Sequence, residues 1–591
     1  MKDDMKLYIS LSEYGEKRID VDSTGFILDN QFVKGRIRDE VFDGSEILKI
    51  SVECLPEPYD YFKSFLADRS VRIAVKLSDF DKALAIKKYN PFWTKPIFLS
   101  NIDTGEYNDI QQFLIKSDNK YMLFMPLANE TAATQICYDG YNQTISFCIS
   151  TYCGGKVKIN APFAIITAGD NPDDVIKRSY DVAIASGVIK AVSKKEKTYP
   201  KELNGLGWCT WNAFYHDVTE EKIRCKLREF NDKGIKLGWL MIDDGWSQVK
   251  DLKLTSFYED REKFPSGLKN FISEIKREFD VKYVGVWHAM TGYWFGIEKN
   301  SELYDEQKQN LTVNNAGLII PKGEFDNSFE FFNTWHGYLK NCGVDFLKID
   351  AQGNALEFYK YSDEPLRSVY NLHTAIEKSV EDNFDSVVIN CMGLANSNMY
   401  LRSGKSAIIR NSDDFFPDKE SSFKSHISQN AYNAIFNDNL FCCDFDMWWT
   451  SHISAKQSST LRLISGGPVY ISDKVGETDK KYIDCLTDNN GDIMRCETAA
   501  KPTADCLFGF SDVLKLYNKI GDNYVVALFN LCDTEKNVSL RPADIYMEGI
   551  EFYIDGNDIS GKYSKMNDEG LVIKIKPGDS KLINLMICQN V

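Results

Sequence analysis

The stretch LKIDAQGN, residues 347–354, sets a lysine and an aspartate two positions apart at the end of an apolar run and just before loop-forming residues. Side chains two positions apart in an extended strand point to the same face. Lys348 and Asp350 should therefore emerge together where the strand ends. Charged side chains at the carboxyl end of a buried strand are typical of the active-site rim of a barrel of alternating strands and helices.

The middle of the chain repeats this arrangement. Apolar runs that indicate buried strands lie at residues 206–211, 238–242, 283–287, 344–349, 387–391, 407–410, 440–444 and 468–472. Amphipathic stretches that indicate helices lie at residues 219–233, 268–279, 327–342, 366–382 and 423–435. Eight strands that alternate with helices over about 300 residues predict a parallel (β/α)8 TIM barrel.

The flanking regions have a different pattern. Short β-branched and aromatic runs, such as residues 47–54 and 145–150, are separated by turn residues, which is typical of antiparallel sheets. The length of 591 residues is also too great for one ordinary domain. We predict an N-terminal antiparallel β-sandwich over residues 1–195, a catalytic TIM barrel over 196–500 and a small C-terminal β-sandwich over 501–591.

The composition narrows the classes of function. A formal net charge of -16 leaves no basic surplus for phosphates, which argues against nucleic-acid and anionic-membrane partners. The first residues, MKDDMKLYIS, lack a signal-peptide pattern, and no apolar run reaches the roughly 18 residues that a membrane span needs. The 15 cysteines form no CxxC pair, so buried free thiols in a reducing compartment are favoured. We expect a cytoplasmic protein.

Polar and aromatic residues follow most of the predicted barrel strands. They are Trp211, Asp243, Asp244, Trp287, His288, Lys348, Asp350, Cys391, Arg410, Asp413, Asp414 and Asp446. One such residue could simply cap the helix that follows its strand. Polar residues after six strands are less easily explained in this way, and in a barrel they would converge on one rim. Carboxylates and cations hydrogen-bond hydroxyl groups, and indole faces pack on the C–H patches of sugar rings. The rim therefore predicts a neutral, polyhydroxylated ligand.

Two other kinds of ligand fit this rim less well. The chain has no phosphate loop of the GxxxxGK[ST] type, and an acidic rim would repel an anion. Asp243, Asp244 and Asp350 are a conceivable Mg²⁺ site, but Lys348 and Arg410 already supply positive charge there. The six histidines have no HExxH-type spacing for zinc. We expect neither a metal nor another cofactor.

Two carboxyl groups in this set suit the hydrolysis of a glycoside. That reaction needs one ionised and one protonated carboxyl group on either side of the anomeric carbon. Asp350 suits the ionised nucleophile, because Lys348 on the same face can hold it charged or bind a sugar hydroxyl beside it. Asp413 or Asp414 suits the proton donor, since a neighbouring carboxylate raises the pKa of a carboxyl group, although Arg410 opposes that effect.

Seven motifs stand in order along the barrel region. They are GWCTWNAFY (207–215), LMIDDGW (240–246), VWHAMTGYW (286–294), DFLKIDAQ (345–352), INCMG (389–393), RNSDDFFP (410–417) and YISDKVG (470–476). Together they resemble glycoside hydrolase family 36, and within it the branch of raffinose synthases, seed imbibition proteins and their microbial α-galactosidase relatives. The resemblance implies a retaining enzyme with an N-terminal β-sandwich, a TIM barrel and a C-terminal β-domain.

The resemblance also implies roles for single residues. The family's nucleophile falls on Asp350 and its acid/base on Asp413, with Asp414 as a supporting acid. The residues implied around the sugar are Asp243 and Asp244 at the galactose O4 and O6 hydroxyls, Trp211 and Trp287 as pocket walls, and Lys348, Cys391 and Arg410 near the nucleophile and ring hydroxyls. For His288 and Asp446, a contact with substrate and a structural role are both open.

We therefore predict an exo-acting, retaining α-galactosidase that hydrolyses terminal α-galactosides by double displacement. Two alternatives keep the same chemistry, namely an α-galactosyltransferase of the raffinose-synthase kind and an α-N-acetylgalactosaminidase or galactosaminidase. A third alternative is a non-catalytic carbohydrate-binding protein. Asn212 and the residues AQGN at 351–354 depart from the usual pattern of the branch, which leaves the choice between transfer and hydrolysis open.

Overall fold

The structure is a computed structural model that describes residues 7–11, 15–18, 26–29, 33–54, 71–77, 80–153, 157–488, 491–554 and 564–588. Three large sheets follow one another along these ranges: antiparallel, parallel and again antiparallel. None of the helices in the described ranges combines the length and the apolar character that crossing a bilayer requires.

The first sheet contains thirteen antiparallel strands. They are β1 (Leu7–Leu11), β2 (Gly15–Arg18), β3 (Phe26–Asp29), β4 (Val33–Phe42), β5 (Ser45–Cys54), β6 (Val71–Lys76), β7 (Lys82–Lys88), β8 (Thr94–Ser100), β9 (Glu106–Ser117), β10 (Lys120–Pro126), β11 (Ala133–Asp139), β12 (Thr144–Ser150) and β13 (Val157–Gly169). Their order is β2-β1-β6-β12-β11-β9-β10-β13-β5-β4-β3, and β7 pairs with β8 and β9.

This sheet bends back on itself around an apolar core. Phe147 of β12 and Phe163 of β13 belong to strands that are four places apart in the sheet, yet their ring centroids are 5.5 Å apart. Alternate side chains of the strands therefore face one another inside the fold, as they do in a sandwich. The antiparallel character that the sequence predicts for this region is confirmed.

The second region carries twelve strands. They are β14 (Gly207–Cys209), β15 (Trp239–Ile242), β16 (Ser247–Lys250), β17 (Lys253–Glu259), β18 (Tyr283–Ala289), β19 (Leu311–Val313), β20 (Ile319–Pro321), β21 (Phe346–Asp350), β22 (Val388–Asn390), β23 (Ile408–Arg410), β24 (Cys442–Asp444) and β25 (Tyr470–Ile471). Strands β16 with β17 and β19 with β20 form two hairpins, and the other eight form one parallel sheet.

The eight parallel strands form a ring-like arrangement. Sheet order follows chain order from β14 to β24, and the last strand, β25, pairs with the first, β14. Between β24 and β25, the Tyr470 hydroxyl donates a hydrogen bond to Asp444 Oδ2 at 2.8 Å. All eight strands lie where the apolar runs predict them, in a TIM-barrel-like order. One end differs from the prediction, because Trp211 opens a short helix and does not extend β14.

Eleven α-helices occur in the described ranges. They are α1 (Pro172–Ala185), α2 (Trp211–Phe214), α3 (Glu220–Asp232), α4 (Leu268–Phe279), α5 (Glu302–Gln307), α6 (Phe325–Asn341), α7 (Asn354–Tyr359), α8 (Pro365–Phe384), α9 (Asn396–Met399), α10 (Ser422–Asn437) and α11 (Ala455–Ile464). The five helices predicted from amphipathic stretches correspond to α3, α4, α6, α8 and α10. Helix α10 is buried over most of its surface because it packs against β8, β24 and the C-terminal region.

Large aromatic side chains fill the interior of the parallel sheet below its rim. The Trp239 ring centroid lies 5.6 Å from that of Phe346 and 5.1 Å from that of Tyr470. Glycines on neighbouring strands leave the space for these rings. A Cβ atom at Gly207 would lie 2.2 Å from Trp239, and one at Gly285 would lie 2.4 Å from Phe346.

The third region is again antiparallel. Its strands are β26 (Lys501–Pro502), β27 (Val513–Ile520), β28 (Asn523–Asn530), β29 (Lys536–Leu540), β30 (Phe552–Ile554), β31 (Ser564–Met566), β32 (Leu571–Ile575) and β33 (Ser580–Ile587). Six of them form a sheet in the order β26-β27-β28-β33-β30-β31, and β29 pairs with β32. Apolar side chains of both sheets share one core, in line with the small β-domain that the sequence predicts.

We predict that Gly285→Ala destabilises the protein by about 1–3 kcal/mol, because the added methyl group overpacks the interior against Phe346. The measurement is the urea denaturation midpoint. The matched control is Gly337→Ala in the interior of α6, where the nearest atom to an added Cβ is Asn383 Oδ1 at 4.0 Å. That change should stabilise the protein by about 0.5–1 kcal/mol. An unchanged midpoint for Gly285→Ala would contradict the described packing.

Candidate active site

Asp350, the last residue of β21, lies at the floor of the rim formed by the carboxyl ends of the parallel strands. Its Oδ2 accepts a hydrogen bond from Trp287 Nε1 at 2.8 Å, and its Oδ1 accepts one from the Ala351 N–H at 2.8 Å. Ala351 has a φ of 57°, a left-handed conformation that is uncommon for a residue with a side chain. These two donors fix the orientation of the carboxylate and leave each oxygen a further lone pair.

Lys348 faces the same side of β21, but its ammonium group pairs with a different carboxylate. Its Nζ donates to Asp243 Oδ2 at 2.8 Å, and Cys209 Sγ lies 3.1 Å from the same oxygen. Burial alone would lower the pKa of Lys348, but Asp243 and other neighbouring anionic groups, Asp350 among them, raise it well above its usual value. The sequence predicts two roles for Lys348, to hold Asp350 charged or to bind a sugar hydroxyl beside it. The described ion pair of Lys348 is instead formed across the sheet with Asp243.

Asp244 is held by three side chains from other loops. Its Oδ1 accepts a hydrogen bond from the Tyr293 hydroxyl at 2.7 Å, and its Oδ2 lies 3.0 Å from Trp294 Nε1 and 3.3 Å from His216 Nε2. The hydrogen bond with Asp244 raises the pKa of His216. Asp244 therefore anchors the loop that follows β18 and keeps roughly one of its four acceptor positions for a ligand.

The two predicted tryptophan walls lie at different depths. Trp287 is buried, and its ring centroid lies 5.8 Å from that of Tyr293 and 5.9 Å from that of Trp294. Trp211 is half-buried at the open side, with its ring centroid 5.2 Å from that of Tyr215. Trp287 therefore supports Asp350 from behind, while Trp211 belongs to an aromatic cluster at the edge of the rim.

Two carboxyl groups after β23 are adjacent in sequence and differ in environment. Asp413 Oδ2 accepts a hydrogen bond from the Tyr89 hydroxyl at 2.7 Å, and its Oδ1 accepts one from the Asp414 N–H at 2.8 Å. Asp414 Oδ1 accepts one from Arg410 Nη2 at 3.1 Å. Burial raises the pKa of Asp414 to about 6, although Arg410 opposes the rise and Asp350 is among the carboxylates that add to it. The Asp414 side chain nevertheless stays 38% exposed and can meet a ligand.

Arg410 and Asp446 form a buried ion pair behind the rim. Arg410 Nη2 lies 2.9 Å from Asp446 Oδ2, which also accepts the Phe415 N–H at 2.7 Å. Burial alone would raise the pKa of Asp446, but Arg410 and then His426 lower it to about 2. Cys391 lies on the other side, with its Sγ 3.8 Å from Arg410 Nη1. The position of Asp446 favours the structural role that the sequence left open.

His288 faces away from the rim, into the layer between the parallel sheet and the helices. Its Nδ1 lies 3.1 Å from the Ala289 carbonyl oxygen, and its Nε2 lies 3.0 Å from Nε2 of His336. Nδ1 of His336 lies 2.7 Å from the Ser379 hydroxyl. Two neutral imidazoles satisfy this chain of hydrogen bonds. Of the two roles left open for His288, substrate contact and a core role, this position supports the core role, because successive strand residues point to opposite faces.

Helix α10 holds the loop of the adjacent carboxyl groups through amide side chains that the sequence analysis missed. Gln429 Oε1 accepts the Asp413 N–H at 3.0 Å, and Asn430 Nδ2 donates to Ser412 Oγ at 3.0 Å. Asn411 Nδ2 donates to the Asn430 carbonyl oxygen at 2.8 Å. Amide residues within the helix, such as Gln429 and Asn430, are the available sequence signal, but their partners lie outside the helix.

Tyr89 is the other contributor that the sequence analysis missed. It follows β7 in the first sheet, and its hydroxyl contacts a carboxylate that lies 324 positions later in the chain. No local pattern reports such a contact, because Tyr89 stands in an ordinary turn between two strands. Tyr293 and Trp294, by contrast, belong to the motif VWHAMTGYW and were available to inspection.

With carboxylates, an ammonium group and indoles gathered at the carboxyl ends of parallel strands, the architecture is that of a TIM-barrel-like glycosidase fold. The chain belongs to the family described as raffinose synthase or seed imbibition protein Sip1, which it matches over residues 102–260 and 250–535. This match confirms the resemblance to that branch of glycoside hydrolase family 36.

Several relatives carry a transferase name. The chain is 28% identical over 488 residues to "Probable galactinol--sucrose galactosyltransferase 1" of Arabidopsis thaliana, covering 71% of this chain and 63% of the relative. It is 32% identical over 382 residues to "Probable galactinol--sucrose galactosyltransferase 6" of the same plant, covering 57% and 50%. It is 27% identical to the "Galactinol--sucrose galactosyltransferase" of Pisum sativum, covering 86% and 72%. The chain thus spans between half and two thirds of the first two relatives.

Solved structures support the fold. The glycoside hydrolase family 36 α-galactosidase AgaA from Geobacillus stearothermophilus aligns with a TM-score of 0.63 at 12% identity, over 94% of this chain and 81% of that one. The α-galactosidase from Lactobacillus brevis aligns with a TM-score of 0.60 at 10% identity, over 100% and 88%. At these identities the likeness concerns the multidomain architecture.

We predict that stability falls as the pH drops below about 6.5, in part because His288 and His336 are buried as neutral groups. Burial lowers the pKa of His288 to about 4 and that of His336 well below its usual value. Below the unfolded pKa, the unfolded chain binds protons that the folded chain does not, so acid favours unfolding. The measurement is the free energy of unfolding in urea at pH 7.5 and 5.5.

His288→Gln is the variant that isolates this effect. It should be less stable than the wild type at pH 7.5, yet lose less stability on acidification, by up to about 1.4 kcal/mol per pH unit. His216→Gln is the control, because His216 is exposed and its pKa is raised. A loss of stability in His288→Gln that is as steep as in the wild type would contradict a neutral buried imidazole.

Proposed function

We propose that this chain is a retaining enzyme that acts on α-galactosides and passes the galactosyl group to a sugar hydroxyl in preference to water. The transferase names of its relatives support this order of preference. Hydrolysis, the main expectation from the motifs, becomes the competing reaction of the same covalent intermediate. The galactosaminidase alternative and the non-catalytic alternative have no comparable support.

The observation that carries the proposal is the environment of two carboxyl groups at one rim, Asp350 and Asp414. Asp350 is oriented by two hydrogen-bond donors, as a nucleophile requires. Asp414 has a pKa raised to about 6 and an exposed side chain, as a proton donor requires. One ionised and one protonable carboxyl group are the minimum for retaining glycosyl transfer.

The proposed reaction proceeds in two displacements. In the first, Asp350 attacks C1 of the galactoside, the bond from C1 to the leaving oxygen breaks, and Asp414 gives its proton to that oxygen. In the second, the Asp414 carboxylate takes the proton of an incoming hydroxyl group, whose oxygen attacks C1 and releases Asp350. Lys348 stays protonated beside Asp243 and is available for hydrogen bonds to galactose hydroxyls.

We assign the acid/base role to Asp414, and this revises the assignment to Asp413 that the family motif implies. Asp413 accepts hydrogen bonds on both oxygens, from the Tyr89 hydroxyl and from the Asp414 N–H, so both oxygens hold the loop in place. Arg410 donates a hydrogen bond to Asp414 and also pairs with Asp446. The guanidinium therefore compensates the charge of the Asp414 carboxylate only in part. Asp413 then orients the loop, and Asp414 exchanges protons.

The same proposal divides the chain into an N-terminal β-domain over residues 1–195, a catalytic (β/α)8 barrel over 196–500 and a C-terminal β-domain over 501–591. The positions of the sheets support these bounds. The antiparallel sheet ends with β13, the parallel sheet spans β14 to β25, and the last sheet begins with β26.

We predict that Asp350→Ala loses turnover with every donor, whereas Asp414→Asn loses it selectively. With a sugar leaving group, Asp414→Asn should fall by at least about 100-fold, because the leaving oxygen needs a proton. With an activated aryl α-galactoside, which needs no proton, Asp414→Asn should still release the aryl group in a burst and accumulate the galactosyl-enzyme. Added azide should then accelerate turnover, since it attacks without a general base. Mass spectrometry of the intact protein detects the adduct.

Asp413→Asn is the matched control for this experiment. It should lack the burst and the azide response, because the acid/base group is still present. The wild-type kcat/KM should fall as the pH rises through about 6, where Asp414 loses its proton, and Asp414→Asn should lack this dependence. The same pattern in Asp413→Asn instead would return the acid/base role to Asp413.

We predict that, with galactinol as donor and sucrose as acceptor, the wild type forms more trisaccharide than free galactose. The two sugars are those in the names of the relatives. Chromatography of the products over a range of sucrose concentrations measures the ratio. An aryl 2-acetamido-α-galactoside serves as the control donor and should not react. Free galactose as the only product would make the protein a hydrolase, and reaction of the control donor would favour the galactosaminidase alternative.

A further inference from the structure

We propose that residues 89–93 of the first sheet and Tyr215 of the barrel form the two walls of an acceptor subsite, and that these walls set how often a sugar outcompetes water. The inference rests on the proposed function, because it concerns the second displacement of that reaction. The acceptor is a neutral sugar ring, since the walls are aromatic and the charges beside them are of both signs, namely Asp413 and Asp418 with Lys95 and Arg410.

Both tyrosines contact the loop that carries the proposed acid/base. Tyr89 donates to Asp413 at 2.7 Å, and burial, Asp413 and more weakly Asp414 raise its pKa. Tyr215 lies 3.4 Å from Asp418 Oδ2, and its pKa is raised by burial and by Asp418 and Asp414. Asp413, which precedes Asp414, and Asp418, which follows it on the same loop, therefore contact a tyrosine of the first sheet and a tyrosine of the barrel.

This position has a direct consequence for the second displacement. The acid/base protonates the departing group and then deprotonates the incoming one, so both groups occupy the same side of the sugar. Side chains on either side of Asp414 must therefore contact the acceptor. Tyr215 is 38% exposed, so apolar ring surface is available there. Phe416, two residues after Asp414, is 45% exposed, and the Lys419 ammonium group lies 4.6 Å from its ring centroid. Sugar C–H patches pack on such rings.

The loop of residues 89–93 is closed by its own hydrogen bonds and docked on the barrel. Asn90 Oδ1 accepts the N–H groups of Phe92 and Trp93 at 3.1 and 2.7 Å, which closes a tight turn. The Phe92 carbonyl oxygen accepts the Leu394 N–H at 3.0 Å, and the Trp93 ring lies 5.7 Å from the Arg410 guanidinium. A loop that is already ordered before the acceptor binds loses less conformational entropy on binding.

Gly353 allows this docking. A Cβ atom there would lie 2.5 Å from the Pro91 carbonyl oxygen and 2.7 Å from Phe92 Cβ. Its φ of -64° suits any residue, so the close approach of the loop is the reason for glycine. Gly353 belongs to AQGN, the segment that departs from the usual pattern of the branch. Gly353 therefore makes room for a loop of the first sheet beside the active site.

The test is the partition of one galactosyl-enzyme between sugar and water. An aryl α-galactoside loads the enzyme, sucrose is titrated, and the ratio of transfer product to free galactose is measured. This ratio does not depend on how fast the intermediate forms. In Tyr215→Ala, which removes one wall, the ratio should fall roughly 3- to 10-fold at equal sucrose. In Gly353→Ala, which displaces the loop without removing a contact group, it should also fall.

Gly337→Ala in α6 is the matched control and should keep the wild-type ratio. If Gly353→Ala does not fold, Tyr215→Ala and Tyr89→Phe decide the outcome. Unchanged ratios in these variants, with transfer intact in the wild type, would overturn the acceptor subsite and leave the proposed function standing. A wild type that loads with galactose but transfers to water alone would overturn both the subsite and the preference for sugar. A wild type that never loads would overturn the proposed function itself.

Discussion

Charge compensation in the mouth of the barrel is the constraint on which the site depends. A carboxylate that leaves water needs a donor or a cation nearby, or it takes up a proton. Asp243 has the ammonium group of Lys348, Asp446 has the guanidinium of Arg410, and Asp350 has the Trp287 indole. Each pairing joins different strands, so the charges also hold the rim of the sheet in register.

Unequal compensation separates the chemical roles. The carboxyl groups with strong partners are held in fixed orientations, as a nucleophile and its neighbours must be. Asp414 shares the Arg410 guanidinium with Asp446, and burial and nearby carboxylates raise the pKa of Asp414 to about 6. A carboxyl group that keeps its proton up to about pH 6 follows from this incomplete pairing, in the way that acid and base roles are commonly divided between carboxyl groups.

Elements outside the parallel sheet complete the site. Helix α10 fixes the loop of Asp413 and Asp414 through buried amide groups, and the first sheet reaches the same loop through Tyr89. The absence of a side chain at Gly353 permits the contact between the first sheet and the barrel. Because the antiparallel sheet supplies part of the rim, its packing on the barrel bears on the reaction as well as on stability.

The sequence by itself determined the order and the place of the eight parallel strands, because buried strands appear as local apolar runs that turn residues interrupt. It also determined which polar groups end those strands, among them Asp350, Asp243 and Arg410. What only the tertiary structure decided was the partner of each group. Lys348 pairs with Asp243 and not with its neighbour Asp350, His288 turns into the core, and Tyr89 reaches across 324 positions to Asp413. Local periodicity reports burial, whereas pairing between strands and between sheets depends on contacts that no local pattern encodes.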